Sequence, residues 1–146
     1  MNKELESKFR FSTPIELRYS DMDMFGHANN AAYLTYIELA RVRYMREIHD
    51  YQFGDTTFVV AHASMDFKIP ILFDDSPMIY LRTSKIGNTS LTIDNIIVDE
   101  QGTRLFFEAE TVMVCISKLS GEPIPVPEFY KERILGYEPS DVIVKN

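Results

Sequence analysis

Arg18-Tyr19-Ser20-Asp21-Met22-Asp23-Met24-Phe25-Gly26-His27-Ala28-Asn29-Asn30-Ala31-Ala32-Tyr33 is the densest run of polar and turn-forming residues in the chain. Its neighbours give it meaning. Upstream, Phe11 to Tyr19 alternates Ile15, Leu17 and Tyr19 against Glu16 and Arg18, which reads as a first strand with Pro14 near its start. Downstream, from about Asn30 to Ile48, Tyr33, Ile37, Ala40, Tyr44 and Ile48 recur at steps of three and four. That spacing predicts an amphipathic helix of roughly five turns. The quoted run is therefore a strand-to-helix loop ending in helix-capping residues. Tyr51 to Asp55, containing Gly54, closes the helix as a second loop.

Everything beyond is strand-like. Thr57 to Ile69 alternates, placing Val59, Ala61, Ala63, Met65 and Phe67 on one face, where the small alanines let a helix lie close. Met78 to Ile86 and Leu91 to Val98 flank Gly87 and Asn88 as a hairpin. Thr103 to Ser117 follows a turn at Gln101 and Gly102. The tail carries Pro123, Pro125 and Pro127, excludes a central strand and is expected to pack irregularly over the surface. The order of one strand, one long helix and four strands predicts an α+β fold. A curved antiparallel sheet of about five strands wraps the helix, in one domain over residues 1–146. Such a sheet keeps an open edge, so self-association into a homodimer or homotetramer is expected.

Composition excludes several classes. With 22 acidic and 15 basic residues the net charge is −7, which opposes nucleic acid and demands a local Lys and Arg cluster for any anionic ligand. No Gly-x-Ser-x-Gly elbow or phosphate-cradling loop occurs, and three separated histidines with one cysteine match no metal spacing, so no metal is expected. Cys115 lies in the apolar run Val112 to Ile116 and reads as a buried structural thiol. Met1 to Arg10 is polar and no stretch approaches the ~20 apolar residues of a bilayer span. A cytoplasmic protein with no membrane partner is the simplest reading.

The loop has chemical uses. Asp21 and Asp23 flank Met22, so their carboxylates can occupy different environments, one structural and one reactive. A helix N-terminus just downstream supplies unpaired N–H groups and about half a positive charge. Aimed at a carbonyl oxygen, such donors stabilise the oxyanion of acyl transfer by about 3–4 kcal/mol each. The same residues serve equally as turn formers and caps, and composition does not separate the two readings.

The run quoted above, followed by Tyr36-Ile37-Glu38-Leu39-Ala40-Arg41, resembles the signature of hot-dog-fold thioesterases of the 4-hydroxybenzoyl-CoA thioesterase type. The match covers about 25 residues in strand-loop-helix context, counted along the motif. The resemblance implies a thioesterase that converts an acyl-CoA or acyl-carrier-protein thioester to a carboxylic acid and a thiol. CoA then enters only as part of the substrate, with no separate cofactor. It further implies that Asp23 attacks the thioester carbonyl or activates a water, and that the oxyanion donor is a backbone N–H near Asn30, in the first helical turn.

Other roles stay open. His27 matches the histidine of a related acyl-carrier-protein branch, but Phe25 stands where that branch has asparagine, so His27 either assists catalysis or builds the loop. Met24, Phe25 and Tyr33 are placed to line an acyl pocket or to join the core. Asp21 is assigned to fixing the loop, Glu38 and Arg41 to a pair on the helix face, His49 to the helix dipole and His62 to an ordinary strand position. The rival functions are a non-catalytic acyl-CoA-binding module and an enoyl-thioester hydratase on the same fold.

Overall fold

The computed structural model describes residues 3–50 and 54–145. The element order is α1 (Lys3–Lys8), β1 (Phe11–Pro14), a 3-10 turn (Tyr19–Asp21), α2 (Ala32–His49), β2 (Thr56–Phe67), β3 (Met78–Ile86), β4 (Ser90–Val98), β5 (Leu105–Ser117), α3 (Glu128–Tyr137) and β6 (Ile143–Val144). The sheet runs β1-β3-β4-β5-β2, antiparallel throughout, and β6 adds to β3 in parallel beside β1.

Helix α2 forms because its apolar side chains recur with helical period. Tyr33, Tyr36, Ile37, Ala40, Tyr44, Met45 and Ile48 are all buried, and most of them pack on Ile79, Leu81, Ile93, Ile97 and Phe107 of the sheet in one cluster. Each large side chain in that layer contributes about 1.5–3 kcal/mol by leaving water. The helix starts at Ala32, two residues later than its spacing implied. Asn29 explains the delay: its side chain accepts the Ala31 N–H at 3.0 Å and its carbonyl accepts the Ala32 N–H at 2.8 Å, so the chain is still turning there. Asp50, with φ 48°, ends the helix in the left-handed region. Most of the second loop, residues 51–53, lies outside the described residues.

Five expectations change. The first strand stops at Pro14; Ile15 makes one further bond, to the Pro77 carbonyl, and Tyr19 is exposed in the 3-10 turn. In β2, Val60 pairs with Met113 and His62 with Val112, leaving Ala61 as a bulge. One extra residue inverts the alternation, so Phe58 and Val60 face α2 before the bulge and Met65 and Phe67 after it, whereas Val59 and Ala61 do not. The proline-rich tail leads into α3, whose Tyr130 and Ile134 are buried in the main core. Glu38 and Arg41 form no ion pair within 4.0 Å among the described residues. His49 is buried, and burial together with nearby Arg133 lowers its pKa to about 4, so it is neutral and does not offset the helix dipole.

The other polar predictions keep their places. Cys115 is fully buried and burial raises its thiol pKa, consistent with an inert core residue. No helix among the described residues is long and apolar enough to cross a membrane.

Candidate active site

The loop between β1 and α2 is a small closed structure with Asp23 inside its turn. Met22 and Ala28 form an antiparallel bridge, and the Asp23 N–H donates to the His27 carbonyl at 2.7 Å. Within this turn Asp23 Oδ1 accepts the Phe25 N–H at 2.9 Å and the His27 N–H at 3.0 Å. Gly26 makes the turn possible, since its φ of 81° is a region side chains rarely enter. The loop is then stitched to the chain after β2: Ala28 N–H donates to the Ile71 carbonyl at 2.8 Å, and His27 bridges Leu72.

This leaves Asp23 half-buried with Oδ1 fully engaged and Oδ2 accepting no hydrogen bond among the described residues. A carboxylate held by one oxygen and free at the other is oriented without being neutralised, which suits attack or water activation. The Asn30 N–H likewise has no acceptor among the described residues, because Asn29 caps the next amide and not this one. Asn30 stands before α2 and not in its first turn, so its N–H belongs to the approach to the helix.

Asp21 plays a different part. It is 4% exposed, its Oδ2 accepts the Arg18 N–H at 3.0 Å and the Tyr36 hydroxyl at 2.9 Å, and its Oδ1 accepts the Arg18 guanidinium at 3.1 Å. Burial pushes its pKa up, but these donors outweigh burial and hold it below the ordinary aspartate value. Tyr36 is the residue that inspection of the sequence missed. It stands in the run that carries the family resemblance but has no role assigned to it there, and no local signal shows that its hydroxyl reaches back fifteen residues.

The candidate pocket residues divide. Met24 and Phe25 are 90% and 75% exposed beside Asp23, while Tyr33 is 2% exposed, its ring centroid 5.0 Å from that of Phe67 and 4.8 Å from that of Phe107. Burial raises the Tyr33 pKa. Cavities of about 500, 450 and 300 Å³ are present, the second lined in part by Arg18 and Tyr36, and Asp23 lines none of these. Asp23 itself is half-buried, and the exposed Met24 and Phe25 stand beside it. His62 points away from it, on the face of β2 opposite α2. No group of three or more His, Cys, Asp or Glu side chains suited to a metal occurs among the described residues.

Comparison with known proteins identifies the family. Residues 17–134 match the family described as the thioesterase-like superfamily. The chain belongs to that superfamily. A solved Thermus thermophilus thioesterase, complexed with coenzyme A and Zn, superposes on this thioesterase with a TM-score of 0.80 and 34% identity, covering 90% of this chain and 96% of the other. The acyl-CoA thioester hydrolase YbgC of Escherichia coli is 30% identical over 122 residues, 81% of this chain and 90% of its own. YsmA of Bacillus subtilis, an uncharacterized protein, is 31% identical over 134 residues, 91% of this chain and 90% of its own. The long helix laid along a curved antiparallel sheet is the hot-dog fold of these thioesterases.

Proposed function

We propose that this thioesterase hydrolyses an acyl-CoA, with Asp23 as the essential carboxylate and the Asn30 N–H as oxyanion donor. The observation that supports the reading is the pairing of an oriented carboxylate having one free oxygen with an unsatisfied amide in the same loop. Asp23 Oδ2 adds to the thioester carbonyl or takes a proton from a water that does so. Negative charge then develops on the carbonyl oxygen, where the Asn30 N–H stabilises it. Where water is the nucleophile, the C–S bond breaks to give the acid directly and the proton taken up by Asp23 passes to the departing thiolate. Where Asp23 is the nucleophile, C–S cleavage leaves an Asp23–acyl anhydride, which a water splits into the acid and the free carboxylate while its proton goes to the thiolate.

The test is Asp23→Asn, because an asparagine oxygen still accepts the Phe25 and His27 N–H groups while the charge is lost. Thiol release over a panel of acyl-CoAs, one aryl-CoA and one acyl-carrier-protein thioester is expected to fall by about 10²–10⁴ in the variant, with its circular dichroism unchanged. Turnover equal to the parent in a folded Asp23→Asn protein overturns the assignment.

The working unit is at least a dimer. β2 ends the sheet with twelve residues, and Val59, Val60 and Phe67 are exposed along it. An open strand edge of that length pairs readily with its own copy, since a two-fold axis makes one patch complementary to itself. The second copy would also cover Met24 and Phe25, which a lone chain leaves in water. Light scattering under assay conditions should give a mass of two or four 16.9 kDa chains. Full activity from a species with the mass of one chain refutes this.

A further inference from the structure

We propose that Tyr36 is a positioning residue for the reaction, its hydroxyl holding the loop so that the Asp23 carboxylate and the Asn30 N–H face one substrate together. This inference rests on the function proposed above and adds to it a residue that touches neither substrate nor the reacting atoms.

The chain of contacts is short. Tyr36 lies one turn into α2, 7% exposed, and donates to Asp21 Oδ2 at 2.9 Å. Asp21 is the node of the loop. Its side chain takes Tyr36 and Arg18, and its backbone carbonyl accepts the Asn29 N–H at 2.7 Å. On one side of Asp21, Met22 bridges Ala28 and leads to Asp23. On the other, Asn29 precedes Asn30 and caps Ala31. Asp23 is therefore two residues from Asp21 itself and Asn30 is next to its partner Asn29, so the position of Asp21 bears on both.

Among the described residues, the Tyr36 hydroxyl is the one hydrogen-bond donor that ties the Asp21 side chain to α2; the others come from Arg18, within the same loop. Without it, Asp21 stays bonded to its own loop, and among the described residues the loop keeps only its backbone bond from Ala32 to Asn29 as a hydrogen-bonded tie to the helix. Displacement of a reacting group by about 1 Å can lower a rate by as much as a hundredfold. Substrate binding should change little, because Tyr36 is buried against Asp21 while Met24 and Phe25, the neighbours of Asp23, are exposed.

The control sits on the same helix. Tyr44 is also buried, and its hydroxyl is 2.7 Å from Thr83 Oγ1 and accepts the Thr83 N–H at 3.0 Å, on the sheet and away from the loop. Thiol release and melting are to be measured for Tyr36→Phe, Tyr44→Phe and Asp21→Asn, with Asp23→Asn alongside. The expected result is a fall in kcat of about tenfold for Tyr36→Phe with KM within about twofold, and kcat within about twofold for Tyr44→Phe at a similar loss of Tm. Asp21→Asn should show the same split between kcat and KM, and the double variant should be no slower than the slower single one. Unchanged kcat in Tyr36→Phe, an equal loss in Tyr44→Phe, or additive losses in the double variant each overturn the positioning role. Were Tyr36→Phe not to fold, the split in Asp21→Asn would carry the test, and its absence would refute the proposal. Full turnover by Asp23→Asn would instead remove the function on which the inference rests.

Discussion

Two carboxylates are buried beside α2, and the protein treats them in opposite ways. Asp21, 4% exposed at the start of the helix, receives three donors on its two oxygens. Glu138, 5% exposed just after α3, accepts the Thr83 N–H on Oε2 at 3.1 Å, and its Oε1 is buried with no hydrogen-bond partner. Burial raises both pKa values. For Asp21 the donors win and the group stays ionised; for Glu138 burial wins over Arg82, the Thr83 N–H, Tyr44 and Arg10, and the pKa reaches about 7. Depth alone therefore does not set protonation; the number of donors does.

The difference follows the work of each region. Asp21 anchors the loop that carries Asp23 and Asn30, and a fixed charge keeps that anchor intact across neutral pH. Glu138 fills a gap on the outer edge of β3, where β1 pairs as far as Leu81 and β6 begins at Lys85. Thr83 lies between them, and its N–H is met by Tyr44 and Glu138 instead of a strand. Arg82, 2% exposed, adds a two-pronged pair to Asp141 at 3.0 and 2.8 Å that fastens the C-terminal segment to the same strand.

Asp21→Ala gives the sharpest way to break this contrast, since it strands Tyr36 and the Arg18 N–H together. Urea unfolding should show a loss of about 2–4 kcal/mol, below the full value for a buried pair because the Arg18 side chain is exposed. A loss under about 1 kcal/mol would mean that the three donors do not hold the loop.

The smaller effect concerns pH. Between 4.5, the ordinary value, and about 7, the folded chain keeps a proton on Glu138 that the unfolded chain has released. Stability from this group is thus complete below about 4.5 and lost as pH rises through about 7, whereas the contribution of Asp21 is lost as pH falls below the ordinary aspartate value of 3.8. Glu138→Gln removes the first dependence. Measured from pH 5 to pH 8, the variant should gain about 1–3 kcal/mol relative to the parent. Parallel stability curves for the two proteins would show that Glu138 does not titrate in that window.

Much of the fold could be read from local pattern. β3 spans Met78–Ile86 as the turns flanking it indicate, β4 and β5 differ from expectation by one and two residues at their starts, and α2 carries its buried side chains at steps of three and four. Periodicity is a property of neighbouring residues, so a linear chain displays it. The loop signature was equally legible, because Asp23, Gly26 and Asn29 act on backbone groups within four positions of themselves. The tertiary structure alone established the rest. The Ala61 bulge exists only relative to β5, α3 is stabilised by Tyr130 and Ile134 entering a core built by distant segments, and Glu38 and Arg41, three apart on the helix, feel each other's charge without closing to an ion pair within 4.0 Å. Tyr36 meets Asp21, and Glu138 meets Thr83 fifty-five residues away, through contacts that no window along the chain contains. The sequence thus specifies which groups are available for chemistry, and packing across long separations specifies which of them are held, which are free and which give up a proton.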